Sequence, residues 1–109
     1  MNQQVERTFE RATLGRTGRV VSRLGLAASY GVPTAAVEKA IDAGVNYLYW
    51  GSMRRDAFGQ ALRNRRARRD EFVLVLQSYS PMASLLGWSV ERGLRALGFD
   101  HTDVLLLGM

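Results

Sequence analysis

The chain has 109 residues, 47% of them hydrophobic, which suits one domain with a core of its own and excludes a disordered chain. It holds no Cys and one His, which excludes a disulfide scaffold and a thiolate metal site and leaves too few ligands for a histidine site. No apolar run approaches the roughly 20 residues that span a bilayer, and the first residues lack the apolar stretch of a signal peptide. We therefore expect a cytoplasmic protein with no membrane partner and no bound metal.

The charge is strongly basic: 15 Lys and Arg against 10 Asp and Glu give +5, and the densest basic run is Arg63–Arg69. One interpretation of this run is the solvated end of a helix, where cations complement the C-terminal dipole. The other is a docking surface for phosphate groups or an acidic partner. No aromatic residue interrupts the run, although proteins that bind single strands stack bases on aromatic rings. We favour the helix end, and nucleic acid is not expected as a partner.

The chain is predicted to open with a β-hairpin after an N-terminal tail at residues 1–10. Strand-length runs at 12–16 and 19–22 flank the turn pair Thr17-Gly18. This arrangement is typical of a small hairpin. Residues 23–28 are expected to follow as a short buried strand.

The first helix is predicted to begin at Pro33-Thr34, with Thr34 as its N-cap. Gly44 is expected at its C′ position, where the left-handed backbone suits glycine. Its apolar stripe shows the i, i+3, i+4 spacing of an amphipathic helix at Val37, Ala40 and Ile41.

The strand-then-helix pattern then recurs. The aromatic and β-branched run 45–50 predicts a strand, and Ser52 is the expected cap of a helix that runs to about Arg66. The continuous apolar run 72–76 predicts a strand that is covered on both faces, with residues 77–81 as its polar exit.

The last predicted helix carries apolar residues with helical spacing and ends at Gly98, and Trp88 is expected to pack it against the sheet. A final strand is predicted at 102–107. The whole order is an α/β fold in which four parallel strands alternate with three helices after a small hairpin.

Three segments resemble one family. Leu14–Leu26 is similar to the opening hairpin and first strand of the aldo-keto reductases. Ala40–Asn46 resembles that family's first helix leading into its second strand, and Gly93–Leu107 resembles its third helix and fourth strand. The family fold is a (β/α)₈ TIM barrel of roughly 250 residues. The resemblance therefore implies that residues 11–109 form the N-terminal half of such a barrel, as a truncated or partial domain.

The family reduces carbonyls with NADPH through an Asp, a Tyr, a Lys and a His near the ends of its strands. The positions that correspond to this tetrad are Tyr49, Arg54, Gln77 and Gly108, so all four are replaced. Gln77 lacks the positive charge that would stabilise a phenolate, and Gly108 has no side-chain donor. The resemblance implies an NADP-dependent lineage, but this chain's own residues do not support NADP binding, since most phosphate contacts in the family come from the C-terminal half.

The predicted strand ends also carry side chains that suggest a pocket for a small molecule: Tyr30, Tyr49, Trp50, Gln77 and Tyr79. In TIM barrels the sites form at these ends. Since successive strand residues point to opposite faces, Tyr47 and Tyr49 share one face while Leu48 and Trp50 share the other. A tyrosine packed in the core is the competing interpretation.

We expect an aldo-keto-reductase-like half barrel that is inactive or atypical as a carbonyl reductase. One alternative is an active oxidoreductase with a remodelled aromatic site, and another is a non-catalytic interaction module that docks through Arg63–Arg69. A half barrel leaves two sheet edges and its apolar inner layer open. The expected partner is therefore the missing barrel half or a second copy of the chain.

Overall fold

The computed structural model of the chain describes residues 9–51, 54–79 and 82–108. The predicted hairpin is confirmed: β1 (Arg11–Thr13) pairs antiparallel with β2 (Val20–Ser22). Its loop is longer than predicted, because the Leu14 N–H donates to the Arg19 carbonyl at 2.8 Å and closes the turn there. Residues 1–8 of the predicted tail lie outside the described residues.

The four predicted parallel strands are confirmed, and they pair in chain order. β3 is shorter than predicted, and β5 is longer because Gln77 and Ser78 continue the ladder opposite Leu106 and Leu107. The strand bounds are β3 (Leu26–Ala27), β4 (Tyr47–Tyr49), β5 (Val73–Ser78) and β6 (Val104–Leu107).

The three predicted helices are also confirmed, as α1 (Thr34–Asp42), α2 (Asp56–Asn64) and α3 (Ala83–Leu97). α2 ends before Arg66, because the chain turns there into a 3₁₀ segment at Arg66–Glu71. The predicted cap Ser52 lies outside the described residues. A second 3₁₀ turn, Ala28–Tyr30, follows β3.

The end of α1 confirms the position of Gly44. Its φ is +108°, its N–H donates to the Ile41 carbonyl at 3.0 Å, and the Val45 N–H donates to the Ala40 carbonyl at 3.0 Å. These two bonds are the Schellman pattern that satisfies the last carbonyls of a helix. The glycine therefore allows the tight connection from α1 into β4.

The start of α1 differs from the prediction, since Pro33 and not Thr34 stands at the N-cap. The ring of Pro33 holds φ near −66°, which fixes the extended entry to the helix. The Thr34 hydroxyl donates instead to the Ala57 carbonyl at 2.7 Å. It ties the first turn of α1 to α2, a long-range partner that no local pattern shows.

The two faces of the sheet have different coverings. The face toward the helices buries Leu48, Leu74 and Leu76 among side chains of all three helices. The opposite face, called the inner face here, carries Tyr47 and Tyr49, with Gln77 on the same face by strand alternation. The predicted separation of the two tyrosines from Leu48 and Trp50 is confirmed. Three apolar strand residues also lie on the inner face: Val73, Val75 and Val104. The hairpin segment covers this face near the starts of the strands, called the lower end here, with Leu14 and Val21.

The prediction that Trp88 packs α3 against the sheet is wrong. Its side chain is 56% exposed, and the Arg92 guanidinium lies 5.2 Å from its ring. The residues of α3 that pack into the core are aliphatic: Leu97 is buried there, and the partly buried Val90 and Leu94 pack against it.

Asn46, buried just before β4, attaches the hairpin to the sheet. Its side-chain oxygen accepts from the Ser22 N–H at 2.6 Å, and its own N–H donates to the Ser22 hydroxyl at 3.1 Å. Its amide nitrogen donates to the carbonyls of Val20 at 3.0 Å and Glu71 at 3.2 Å. One side chain therefore joins the hairpin, β4 and the segment that enters β5.

Asp103, just before β6, also joins the hairpin to the sheet. Its carboxylate accepts from the Leu74 N–H at 2.8 Å and pairs with Arg69 at 2.9 Å and with Arg19 of the hairpin loop. The Arg69 guanidinium lies over the neighbouring rings of Phe72 and Phe99, 5.3 and 5.2 Å from their centroids. A charged cluster thus sits inside the lower end of the fold.

The interpretation of Arg63–Arg69 as a solvated helix end is therefore wrong for most of the run. Arg69 is buried, Arg65 and Arg68 each pair with Asp42 at 2.8 Å, and Arg63 donates to the Ala96 carbonyl at 2.8 Å. Contacts within the chain occupy four of its five arginines. The planar guanidinium group carries several N–H donors, so an arginine can make such multiple contacts.

We predict that Asn46→Ala destabilises the fold by about 2 kcal/mol or more. The change leaves the Ser22 N–H buried without an acceptor and leaves two carbonyls without their donor, and each buried orphan costs about 1–3 kcal/mol. The free energy of unfolding in urea measures it. The exposed Asn64→Ala serves as control and should change it by less than about 0.5 kcal/mol. Equal losses for the two variants would contradict the assigned role of Asn46.

We also predict a stability that falls in acid because of Asp103. Burial opposes ionisation, but the Leu74 N–H and the Arg69 and Arg19 guanidinia outweigh it and hold the pKa of Asp103 below its ordinary value. The unfolded chain takes up the proton near pH 4 while the folded chain does not, so stability is lost as pH falls through the lowered pKa.

Urea unfolding between roughly pH 7 and pH 2 tests this expectation. Asp103→Asn should be less stable by about 3 kcal/mol at neutral pH and should show a flatter decline in acid. Asp70→Asn, at an exposed carboxylate, should keep the wild-type profile. An unchanged acid decline in Asp103→Asn would rule out the assignment.

Candidate functional site

The carboxyl ends of the parallel strands meet at one edge of the sheet, and three of the positions predicted from the tetrad come together there. The Tyr49 hydroxyl donates to the Gln77 side-chain oxygen across β4 and β5. Gly108, just after β6, lies against the same amide: a Cβ added there would stand 2.2 Å from the Gln77 Nε2 atom. Glycine at 108 is thus what lets the Gln77 amide reach across toward β6.

Gly51 supports the position of Tyr49, and sequence reasoning missed it. A Cβ at Gly51 would lie 2.4 Å from the Tyr49 ring, so the ring rests directly on the backbone after β4. A real Cβ contact that short does not occur, so a side chain there would displace the ring. A glycine immediately after an aromatic strand was the available signal.

Arg54, the fourth predicted position, lies elsewhere. Its guanidinium points toward α3 and donates to the Ser89 carbonyl at 3.0 Å, to the Ser89 hydroxyl at 3.2 Å and to the Gln77 backbone carbonyl at 3.4 Å. It also lies 5.8 Å from the Trp50 ring. The Arg54 guanidinium therefore lies on the helix side of the sheet and not on the inner face.

The structure divides the predicted pocket residues. Tyr79 contacts the same point as Gln77, since its ring would stand 3.0 Å from a Cβ at Gly108. Trp50 is buried on the helix side, where its ring nitrogen donates to the Arg55 carbonyl at 3.0 Å. Tyr30 is 90% exposed on the 3₁₀ turn after β3. Strand alternation sends Trp50 away from Tyr49, so these five residues do not form one pocket.

The inner face holds a cavity that sequence reasoning did not delineate. Its volume is about 220 Å³, and Tyr49 belongs to both its wall and the hydrogen bond with Gln77. The sequence signal for this cavity was the set of alternate residues in the apolar strands, because such residues share one face of the sheet. The lining is apolar and aromatic: Gly25, Leu26, Ala27, Tyr47, Tyr49, Val75 and Leu106.

The residues of this cavity do not fit a nicotinamide dinucleotide. A pyrophosphate needs cations or free helix N-termini, and none of the described arginines lines the cavity. Its volume is also below the roughly 300–1,000 Å³ of ordinary ligand pockets. Among the described residues no group of three or more His, Cys, Asp or Glu side chains could hold a metal ion.

Comparison with solved structures reveals which fold this arrangement belongs to. Two structures named as aldo-keto reductases of Pseudomonas aeruginosa superpose on the chain with TM-scores of 0.75 and 0.72, each at 26% identity. The chain is aldo-keto-reductase-like. The matches cover 97% and 89% of this chain but 49% and 45% of theirs, so it spans about half the length of the structures it matches.

The fold is thus that of the N-terminal half of an aldo-keto reductase barrel, and the resemblance and fold class expected from sequence are confirmed. No protein-family model matches the sequence, and no curated protein matches it. None of the helices within the described ranges is long and apolar enough to cross a membrane.

We predict that Tyr49 and Gly108 are energetically coupled through Gln77. Tyr49→Phe removes one side-chain hydrogen bond and should cost about 1 kcal/mol of unfolding free energy. Gly108→Ala pushes the Gln77 amide away and should break the same bond. The double variant should therefore cost less than the sum of the single variants by about 0.5 kcal/mol or more, as measured by a double-mutant cycle in urea. Strict additivity would show that Gly108 does not position the amide.

Proposed function

We propose that the aldo-keto-reductase-like half barrel binds a small carbonyl- or hydroxyl-bearing ligand at its inner face and does not reduce it through the family's tetrad. The observation that supports this is the hydrogen bond from Tyr49 to Gln77, with Gly108 against the same amide. The chain offers a neutral donor and acceptor pair above an apolar cavity. Such a pair recognises a polar group on a small apolar molecule.

The chemistry of these residues opposes carbonyl reduction. A tyrosine that protonates a carbonyl must carry a negative charge afterwards, and a nearby cation stabilises that charge. Gln77 is neutral. Arg54, the one cation among the four positions predicted to correspond to the tetrad, donates a hydrogen bond to the Ser89 carbonyl instead. Removing one well-placed donor commonly lowers a rate by roughly 10²–10³. Nicotinamide use is plausible from the family likeness, but the cavity residues give it no support.

The inner face also needs a partner, and we propose a complementary barrel half. β3 and β6 each have one neighbouring strand in the four-stranded sheet, and Leu106 is 43% and Leu107 71% exposed. The hairpin already covers the lower end of the inner face through Val21. A second copy would bring a second hairpin to the same end, so a half without a hairpin fits better than a symmetric dimer.

A turnover and binding experiment on the same sample tests this function. With NADPH and a series of aliphatic and aromatic aldehydes, we expect no aldehyde-dependent loss of NADPH absorbance above that of Tyr49→Phe. Benzyl alcohol should raise the urea midpoint of the wild type more than that of Tyr49→Phe, since a ligand that binds only the folded state stabilises it.

Two results would overturn the proposal. NADPH oxidation that Tyr49→Phe abolishes would show an active oxidoreductase with a remodelled site. Equal stabilisation of both proteins by benzyl alcohol would show that Tyr49 does not bind the ligand. Light scattering on the same sample addresses the partner: a stable symmetric dimer would replace the complementary half by a second copy.

A further inference from the structure

A basic cleft lies on the other side of the sheet, between α2 and α3. Its volume is about 380 Å³, larger than the inner-face cavity. Three arginines and one carboxylate line it, so its lining carries a net charge of +2. The lining residues are Trp50, Arg54, Asp56, Arg63, Trp88, Ser89, Arg92, Gly93 and Ala96.

The chain holds Arg54 in this cleft with neutral partners only. Its three hydrogen bonds go to the Ser89 carbonyl and hydroxyl and to the Gln77 carbonyl. Within the described ranges no carboxylate lies at ion-pair distance from it, whereas the half-buried Arg65 and the buried Arg69 each have one. A guanidinium has five N–H donors, so two remain for a further acceptor.

Arg54 itself has an unusual backbone conformation. Its φ of +48° is in the left-handed region, which is strained for a residue other than glycine. Gly93 of α3 leaves room for the guanidinium: a Cβ there would stand 3.0 Å from the Arg54 Nη1 atom. Such strain persists where the surroundings enforce it, and it is common at ligand sites.

Arg92 brings a second cation to the same cleft. Its guanidinium stacks over Trp88 at 5.2 Å, and Trp88 keeps 56% of its surface exposed. Burial lowers the pKa of Arg54, and the charge of Arg92 lowers it further, so the two cations interact unfavourably. Asp56 lies at the cleft wall in the first turn of α2, and Arg63 is engaged with Ala96 and Gln60.

We propose that this cleft binds a small anion, a phosphate or carboxylate group that lies between Arg54 and Arg92, with a flat portion of the ligand against Trp88. The anion relieves the repulsion between the two guanidinia and accepts from the free N–H donors of Arg54. Bidentate guanidinium–oxyanion contacts are among the strong hydrogen bonds of proteins. An exposed indole beside them supplies apolar contact area. This site is independent of the inner-face function.

Tryptophan fluorescence provides the test, because both tryptophans of the chain line the cleft. Titration with inorganic phosphate should give a saturable change, and phenyl phosphate should bind more tightly because its ring contacts Trp88. The binding constant for phosphate should weaken by about tenfold in Arg92→Gln, which removes one charged hydrogen bond. Sodium chloride at matched ionic strength should give no saturable change.

The matched control is Arg95→Gln, which removes one charge from the same helix at an exposed position outside the cleft lining. It should bind phosphate as the wild type does. Equal weakening in Arg92→Gln and Arg95→Gln would overturn the proposal in favour of general attraction to a basic protein. A phosphate titration that Arg92→Gln leaves unchanged would overturn it as well.

Discussion

The side-chain amide of Asn46 holds the hairpin against the lower end of the sheet. The two strands of the hairpin are three residues long each, and an isolated hairpin is marginal in water. By giving and accepting hydrogen bonds with Ser22, Val20 and Glu71, Asn46 places the hairpin beneath the sheet. The hairpin's Val21 can then cover the inner face, and Arg19 can reach Asp103. The covering of the lower end of the inner face follows from this attachment.

The two faces of the sheet carry opposite chemistry as a result of strand alternation. The inner face gathers tyrosine, amide and valine side chains, which have no charge to stabilise a developing anion. Arg54 lies on the helix side of the sheet. It is an arginine where the family has a tyrosine, and its guanidinium points toward α3 and away from the inner face. The aldo-keto-reductase-like architecture lies in the sheet and its crossovers, and under the proposed function the residues at the strand ends recognise a ligand without transferring a proton.

Periodicity explains which features the sequence could predict. The aromatic and β-branched run 45–50 and the continuous apolar run 72–76 predicted two strands, and the alternation of side chains along a strand predicted the opposite directions of Tyr49 and Trp50. Gly44 and Gly98 marked the helix ends because their positive φ is required locally. Two of the predictions that were wrong involve partners far along the chain. Thr34 bonds Ala57, and Arg69 pairs with Asp103, contacts that no short window of sequence contains. The resemblance predicted four positions for the tetrad, and the structure separates Arg54 from the other three.

The attachment of the hairpin also has a kinetic consequence. Its residues are synthesised before the rest of the sheet, yet Ser22 must wait for Asn46, 24 residues later, and Arg19 for Asp103, 84 residues later. Contacts of such separation close slowly, because the entropy of long loops must be overcome first. During translation the bonds of Ser22 with Asn46 can therefore form before β6 is made, whereas Arg19 reaches Asp103 only after β6 has emerged from the ribosome.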